Sequence, residues 1–237
     1  MPAITLKGTL TCTTPEQRAA LLAHLPTHIR LTVREAGCLY FSVSHTDDPM
    51  VWAVEEAFAD QAAFDAHQAR AADSEWGRAT RDFKRDYHIR EAVPAIAPET
   101  PEDLDAVHLL TRAAFGDEEE AELISRLREE GDLAISLVAR LDRAYLGHIG
   151  LSEMQAPFKA LALAPLSVRR AMRKQGLGAA LVRAALLIAK SKGYEGIFVL
   201  GDPEFYSRFG FSAQAAAGFD GRWSGAELQL LDLTRKG

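Results

Sequence analysis

Between Arg169 and Gly193 the chain reads RRAMRKQGLGAALVRAALLIAKSKG, and the first half of that stretch carries its clearest chemistry. Gly176 and Gly178 open an amphipathic helical pattern, although each glycine costs a helix about 1 kcal/mol relative to alanine. Arg169, Arg170, Arg173 and Lys174 surround the same start, against a helix dipole whose positive end favours acids. The other end is ordinary, with Lys190 and Lys192 in the last turn and Gly193 as the stop. A bound anion resolves both anomalies, because first-turn N–H groups bared by glycine form an anion site. No Gly-Lys-Ser/Thr follows, which excludes a Walker loop. A dinucleotide fingerprint also fits poorly, since its third glycine and its acidic residue after the next strand are missing.

Composition narrows the anion. The 237 residues suffice for one large or two ordinary domains, and a formal charge of −6 argues against nucleic acid as the main partner. The basic cluster is therefore local, which suits a small anionic ligand. Cys12 and Cys38 fit neither a disulfide framework nor a zinc site, so a reducing cytoplasm is expected. The first residues lack the apolar core of a signal peptide, and no apolar run is long enough for a membrane span. No cluster of His, Cys and Asp has metal-ligand spacing, so no metal is expected.

The elements that must position this loop follow from periodicity. Leu177, Leu181, Ala184 and Ile188 fall at helical spacing and predict a helix docked on a sheet. Before the loop come two helical segments, PEDLDAVHLLTRAAF and EEEAELISRLREEG, a hairpin (LAISLVARL, then AYLGHIGLSEM) and the strand ALALAPLSV. After it, GIFVL reads as a buried parallel strand, EFYSRFGF as a short helix closing at Gly210, and AELQLLDL as a last strand. This is a mixed sheet with helices on both faces. The proline-rich stretch EAVPAIAPETPED separates it from what precedes, giving domains over 1–93 and 101–237 joined by a linker at 94–100. TPEQ at Thr14 and TPED at Thr100 each read as a helix start with threonine as cap.

Arg173-x-x-Gly176-x-Gly178, behind the strand LAPLSVRR, resembles the acetyl-CoA signature of the GNAT family of N-acetyltransferases. YLGHIGLSEM and GDPEFYSRFGF, with its Tyr-x-x-x-Gly-Phe element, extend the resemblance over roughly residues 97–235. It implies acetyl-CoA as co-substrate and a small amine as acceptor. Leu166 and Val168 would lie along the pantetheine arm, with Arg173, Lys174, Gln175, Gly176, Gly178 and Ala179 around the pyrophosphate. A backbone amide near Val168 would stabilise charge on the thioester oxygen, and Tyr206 matches the tyrosine that protonates the leaving thiolate. The chain has Gly201-Asp202 where many relatives carry an asparagine, which departs from the pattern at one cofactor contact. Glu153, on the hairpin strand facing the expected cleft, is a candidate to orient water as general base, or else a surface or paired carboxylate. His148, after a glycine on the same strand, reads as structural.

Residues 1–93 carry strands at AITLKGTLTC, CLYFSVSH, VWAVEEAF and YHIREA. Helices are expected from Pro15 to about Glu35 (irregular at Pro26), after Asp60, and through SEWGRATRDFKRD. The β-α-β-β-α-β order is ferredoxin-like, with one apolar sheet face left to be covered by a second subunit. The segment from Glu35 to Thr80, with its Gly-Cys-Leu strand entry, Asp-Asp-Pro turn and Ala66-His67, resembles the antibiotic-biosynthesis-monooxygenase family of dimeric α+β barrels. The whole is thus expected to be α+β: a dimeric barrel domain followed by a GNAT domain, in a homodimer. That resemblance leaves open a cofactor-independent quinol oxygenase, a haem binder or a purely structural module. A non-catalytic acetyl-CoA sensor is the remaining alternative for the whole chain. His67 and Trp76 sit in ordinary amphipathic helices and read as packing.

Overall fold

A computed structural model describes residues 2–219 and 228–234. The chain folds as two compact units, Met1–Pro94 with Leu141–Ala144, and Ala95–Arg140 with Tyr145–Gly237.

The first unit runs β1 (Ala3–Thr11), α1 (Pro15–Thr32), β2 (Cys38–His45), β3 (Val51–Phe58), α2 (Gln61–Asp73), α3 (Glu75–Ala79) and β4 (Lys84–Ala92). Its antiparallel sheet has the order β2-β3-β1-β4, the ferredoxin-like arrangement. Ile4, Leu6 and Leu10 of β1 and Trp52, Val54 and Phe58 of β3 share one face and pack with Leu21, Leu25 and Phe64 of the helices. Thr14 caps α1 by accepting from the Gln17 N–H at 3.3 Å, and Asp60 caps α2 through the Ala63 N–H at 2.8 Å. Helix α1 continues through Pro26 and stops at Thr32, short of Glu35.

The helix expected over SEWGRATRDFKRD is only five residues long. Ser74 caps it, while both the N–H and the hydroxyl of Thr80 donate to the Trp76 carbonyl at 2.9 Å and end it. Arg85 then ties the turn down through the Thr80 carbonyl at 2.8 Å and the Phe83 carbonyl at 3.0 Å, so β4 begins at Lys84. The sheet face turned away from the helices is also not apolar. The register puts Thr5, Lys7 and Thr9 there, beside Glu55, His88 and Arg90.

In the second unit β5 (Ala95–Pro98) leads to a 3₁₀ turn (Pro101–Asp103), α4 (Leu104–Phe115), α5 (Glu119–Glu129), β6 (Leu133–Leu141), β7 (Ala144–Met154) and β8 (Ala160–Val168). A 3₁₀ turn (Arg170–Met172), α6 (Leu177–Ser191), β9 (Gly196–Leu200), α7 (Pro203–Tyr206), a 3₁₀ turn (Ser207–Phe209), α8 (Ala213–Ala216) and β10 (Leu228–Asp232) follow. Ala226 and Glu227 of the expected last strand lie outside the described residues. The sheet order is β10-β9-β8-β7-β6-β5, with β8 and β9 parallel. Residues 95–98, inside the stretch read as a linker, are an edge strand paired with Leu137–Arg140. The hydrophobic Ala95-Ile96-Ala97 run between prolines suits an edge, where a proline need not donate to the ladder.

Helices cover both faces. Ser167 of β8 donates to Thr111 of α4 at 3.1 Å, while its neighbours Leu166 and Val168 face Gly178 of α6. Helix α6 buries Leu177, Leu181, Val182, Ala185 and Ala189. Ala184 and Ile188, expected on that face, are only half-buried. The packed row follows Ala185 and Ala189, whose small side chains let the backbone sit close to the sheet.

Candidate functional site

The site begins where β8 and β9 part. They pair only from Ala160–Leu163 to Gly196–Val199, after which β8 continues along β7 alone. The Arg169 N–H bonds back to the Leu146 carbonyl at 2.9 Å. By strand alternation the Val168 N–H points the other way, into the gap that β9 has left.

The backbone then turns tightly into α6. Lys174 (φ +62°) and Gly176 (φ +88°) both adopt the left-handed conformation, which for an L side chain costs roughly 1–2 kcal/mol. The first helical bond into this turn is Ala180 N–H to the Gly176 carbonyl at 3.0 Å, so the N–H groups of Leu177, Gly178 and Ala179 are left for a ligand. Gly178 lies between the strand and Phe205. A methyl placed on it would fit in ordinary contact, 3.5 Å from Val168 Cγ2 and 3.6 Å from Phe205 Cζ, and would take up space that glycine leaves in the cavity.

Leu166, Val168, Arg173, Lys174, Gly176, Gly178 and Ala179 line one cavity of about 590 Å³. Gln175, the remaining residue expected around the pyrophosphate, does not line it. Its Nε2 donates to the Ala171 carbonyl at 3.0 Å, and its Oε1 is buried without a partner. Arg173 also differs from expectation, because its guanidinium is engaged by protein. It donates to the Val168 carbonyl at 3.3 Å and to the Ala114 carbonyl, near the end of α4, at 2.6 Å. Ala114, Phe115, Met172, Phe205 and Arg208 complete the wall. Phe205 and Arg208 are recognisable only as the partners of Tyr206 in PEFYSR, where the tyrosine draws attention from its neighbours.

Tyr206 itself does not line the cavity. It is 7 % exposed and packs between Phe205, Phe211 and Gly201. Burial, and after it the Asp202 carboxylate, pushes its phenol up to about 12. Glu153 is farther away. It pairs with Leu161 in the closed part of the sheet, about 16 Å along β8 from Leu166 at the usual strand rise. There it accepts a hydrogen bond from the Tyr194 hydroxyl. The expectation that it faces the cleft is therefore corrected: it sits beyond the point where the strands divide. His148 is fully buried, with Nε2 2.8 Å from Ser136 Oγ and 3.2 Å from Glu99 Oε2. Among the described residues no group of three metal-ligating side chains is placed to hold an ion.

The first unit holds a polar cluster that the sequence did not reveal. His67 Nδ1 lies 2.8 Å from Glu35 Oε2, and Arg70 donates to Glu35 at 2.7 Å and to Thr32 at 2.7 Å. His28 stacks on Trp76 at 4.6 Å. Glu56 Oε2 is buried without a partner, 3.8 Å from His67 Nε2. Burial, then the charge of Glu35, pushes Glu56 up to about 7, while burial holds His28 down at about 3. Glu35 sits in an irregular turn and Glu56 on a core-facing strand position, so spacing alone does not join them to His67.

Residues 4–78 match the family model for antibiotic biosynthesis monooxygenase, and residues 102–211 match that of the acetyltransferase (GNAT) family. The N-acetyltransferase YhbS of Escherichia coli K12 is 37 % identical over 136 residues, covering 56 % of this chain and 81 % of the relative. The N-acetyltransferase YjhQ of the same strain is 32 % identical over 117 residues, 46 % of this chain and 64 % of its own. The solved structure of Escherichia coli YhbS in complex with CoA superposes with a TM-score of 0.56 at 34 % identity, over 60 % of this chain and 82 % of that one. A GNAT family acetyltransferase from Brucella melitensis in complex with acetyl-CoA gives 0.51 at 31 % identity, over 59 % and 87 %. With the splayed strand, the glycine-opened helix and the cavity between them, these likenesses establish that the chain belongs to the GNAT family of N-acetyltransferases, carrying an antibiotic-biosynthesis-monooxygenase-type domain before its GNAT domain.

Proposed function

We propose that the protein transfers the acetyl group of acetyl-CoA to the nitrogen of a small amine. The observation that carries this is the cavity at the parting of β8 and β9, walled by the first-turn amides of α6. In this reading the N–H groups of residues 177–179 and the left-handed turn at Lys174 hold the pyrophosphate, and Leu166 and Val168 flank the pantetheine arm. The Val168 N–H faces the thioester oxygen and stabilises the charge that develops there. The new C–N bond forms as the C–S bond breaks; the amine loses a proton and the departing thiolate gains one. Tyr206 is the proposed donor of that second proton, acting from beside Phe205. The overall charge of −6 disfavours nucleic acid as the acceptor and suits a cationic amine.

We infer that the first unit joins two copies of the chain and that the protein works in the cytoplasm, whose reducing conditions suit a chain in which Cys12 and Cys38 are both buried and form no disulfide. A second reading, in which this unit is itself an oxygenase for quinol-like rings or a haem binder, draws on buried Glu56 and His67 beside half-buried Glu35. Oxygen uptake with a quinol panel and absorption spectra with added haem separate that reading from a structural one. For the main proposal the test is acetyl-CoA consumption against a library of amines, amino acids and aminoglycosides. Turnover with one class supports it. Tight CoA binding without transfer to any amine makes the protein a sensor instead.

A further inference from the structure

His148 is buried like a packing residue but surrounded like a base. Its neighbour Gly147 faces Leu181 of α6, so by alternation His148 points to the other face of the sheet, under α4 and α5. The Ser136 hydroxyl donates to Glu99 Oε2 at 2.8 Å. Ser136 Oγ, 2.8 Å from His148 Nε2, and the carboxylate, 3.2 Å from it, can then only accept from the ring. Nε2 therefore carries the proton. Glu99 is 6 % exposed and takes two bonds from Arg128, at 2.8 and 3.1 Å. Against its burial, the hydrogen bonds from His148 and Ser136 and the charge of Arg128 hold its carboxyl below the usual carboxylate range. An ionised carboxylate behind one ring nitrogen stabilises the imidazolium formed when the other takes up a proton. That other nitrogen, Nδ1, is buried and has no partner among the described residues.

The strand partner of His148 is Ser167 on β8, with Cβ atoms about 4.5–5.5 Å apart at the usual cross-strand spacing. The Ser167 hydroxyl donates to Thr111 at 3.1 Å, and a hydroxyl can rotate to another acceptor. The peptide joining Ser167 to Val168 carries the N–H assigned above to the thioester oxygen, so a substrate held there stands beside this side chain. We propose that His148 is a positioning residue for deprotonation of the acceptor: Nδ1 draws the Ser167 hydroxyl away from Thr111 and takes its proton as the amine attacks. The N–H bond of the amine breaks, Ser167 Oγ gains that proton while passing its own to Nδ1, and Glu99 holds the imidazolium until solvent takes the proton. The inference rests on the acetyl-transfer reading and gives the first proton a destination, as Tyr206 gives the second a source.

Two measurements on the full-length protein test this: kinetics with acetyl-CoA and the most rapidly acetylated member of the amine library, and nitrogen NMR of isotope-labelled histidine. His148→Gln keeps an amide donor near the Nε2 position for Ser136 and Glu99 but has no base at the Nδ1 position. It should lower kcat by about 10²–10⁴-fold, with the Kd for CoA and the KM for the amine nearly unchanged. Ser167→Ala should lower kcat as far, and the double variant no further than either single one, as residues acting in one unit do. In wild type above neutral pH, the His148 ring, assigned through its contacts to Ser136 and Ser167, should show Nε2 protonated and Nδ1 bare. A proton on Nδ1 instead overturns the proposal, whether or not the glutamine variant folds. Full kcat in folded His148→Gln or Ser167→Ala overturns it too. So does a loss of CoA affinity that matches the loss of kcat, since His148 then only supports the cavity wall. Absence of turnover by wild type with every amine is a different result: it removes the acetyl-transfer reading and this inference with it.

Discussion

Tyr206 and Glu56 show how burial sets what a single side chain can do. With its phenol pushed up to about 12, Tyr206 stays protonated throughout the working range, as a donor must, but it is a weak acid towards a thiolate. Tyr206→Phe keeps the packing on Phe205 and Phe211 and removes only the donor. If the transfer depends on it, kcat falls by about 10²–10⁴-fold with CoA affinity nearly unchanged, and wild-type kcat shows no alkaline loss from this group up to about pH 10. Full kcat in the phenylalanine variant would assign the proton to water. Glu56 gives a stability prediction. Its carboxyl titrates near 7 when folded and near 4.3 when unfolded, so the folded state retains a proton across that window and loses stability as pH rises through it. His28, held at about 3 when folded, acts in the opposite sense and costs stability as pH falls from about 6.5. Glu56→Gln should therefore match wild type near pH 4.5 and exceed it at pH 8 by a few kcal/mol, at about 1.4 kcal/mol per pKa unit. Urea melts at pH 4.5, 6 and 8 decide it; a variant less stable at pH 8 would show that Glu56 is held ionised.

Elements are legible in the sequence where local chemistry dictates them and obscure where partners come from far along the chain. The hairpin, strand β8 and the glycine-opened helix follow from alternation, from the 3.6-residue period and from Gly176, whose φ of +88° no other residue adopts cheaply. Strand β4 is half-hidden because most of its side chains are exposed and carry little pattern. Helix α3 is shorter than its sequence suggests because the stop at Thr80 depends on the reach of Arg85 from beyond it. The place of Glu153 is not readable because alternation identifies its strand but not the point at which β8 and β9 separate. The start of α4 has a partial signal in TPED, yet its anchor is Asp103, which accepts from Tyr145 at 2.7 Å and from Arg140 at 2.8 Å. Asp103→Ala strands both donors and should lower stability by roughly 2–3 kcal/mol, less than a fully buried pair costs, because Arg140 is 37 % exposed. A loss below about 0.5 kcal/mol by chemical denaturation would show that water replaces the carboxylate.

At the scale of the whole molecule, two units with separate cores and separate sheets predict separate melting. CoA should raise only the transition of the acetyltransferase unit, as a ligand stabilises the form that binds it; one shared shift in calorimetry would mean that the units unfold together. The proposed pairing through the first unit predicts a dimer at micromolar concentration by sedimentation, and a monomer there ends the barrel reading. The polar outer face, with Lys7, Glu55 and Arg90, adds that such a dimer should weaken in high salt. The closure of the first sheet by β4, complete at Ala92, also has a consequence in time. Every strand partner of that sheet has left the ribosome while most of the acetyltransferase is still untranslated. At ~5–20 residues per second the remainder takes on the order of ten seconds to appear, long enough for the leading unit to fold on the nascent chain. If two copies pair through that unit, they can meet on the polysome, each still tethered to its own message.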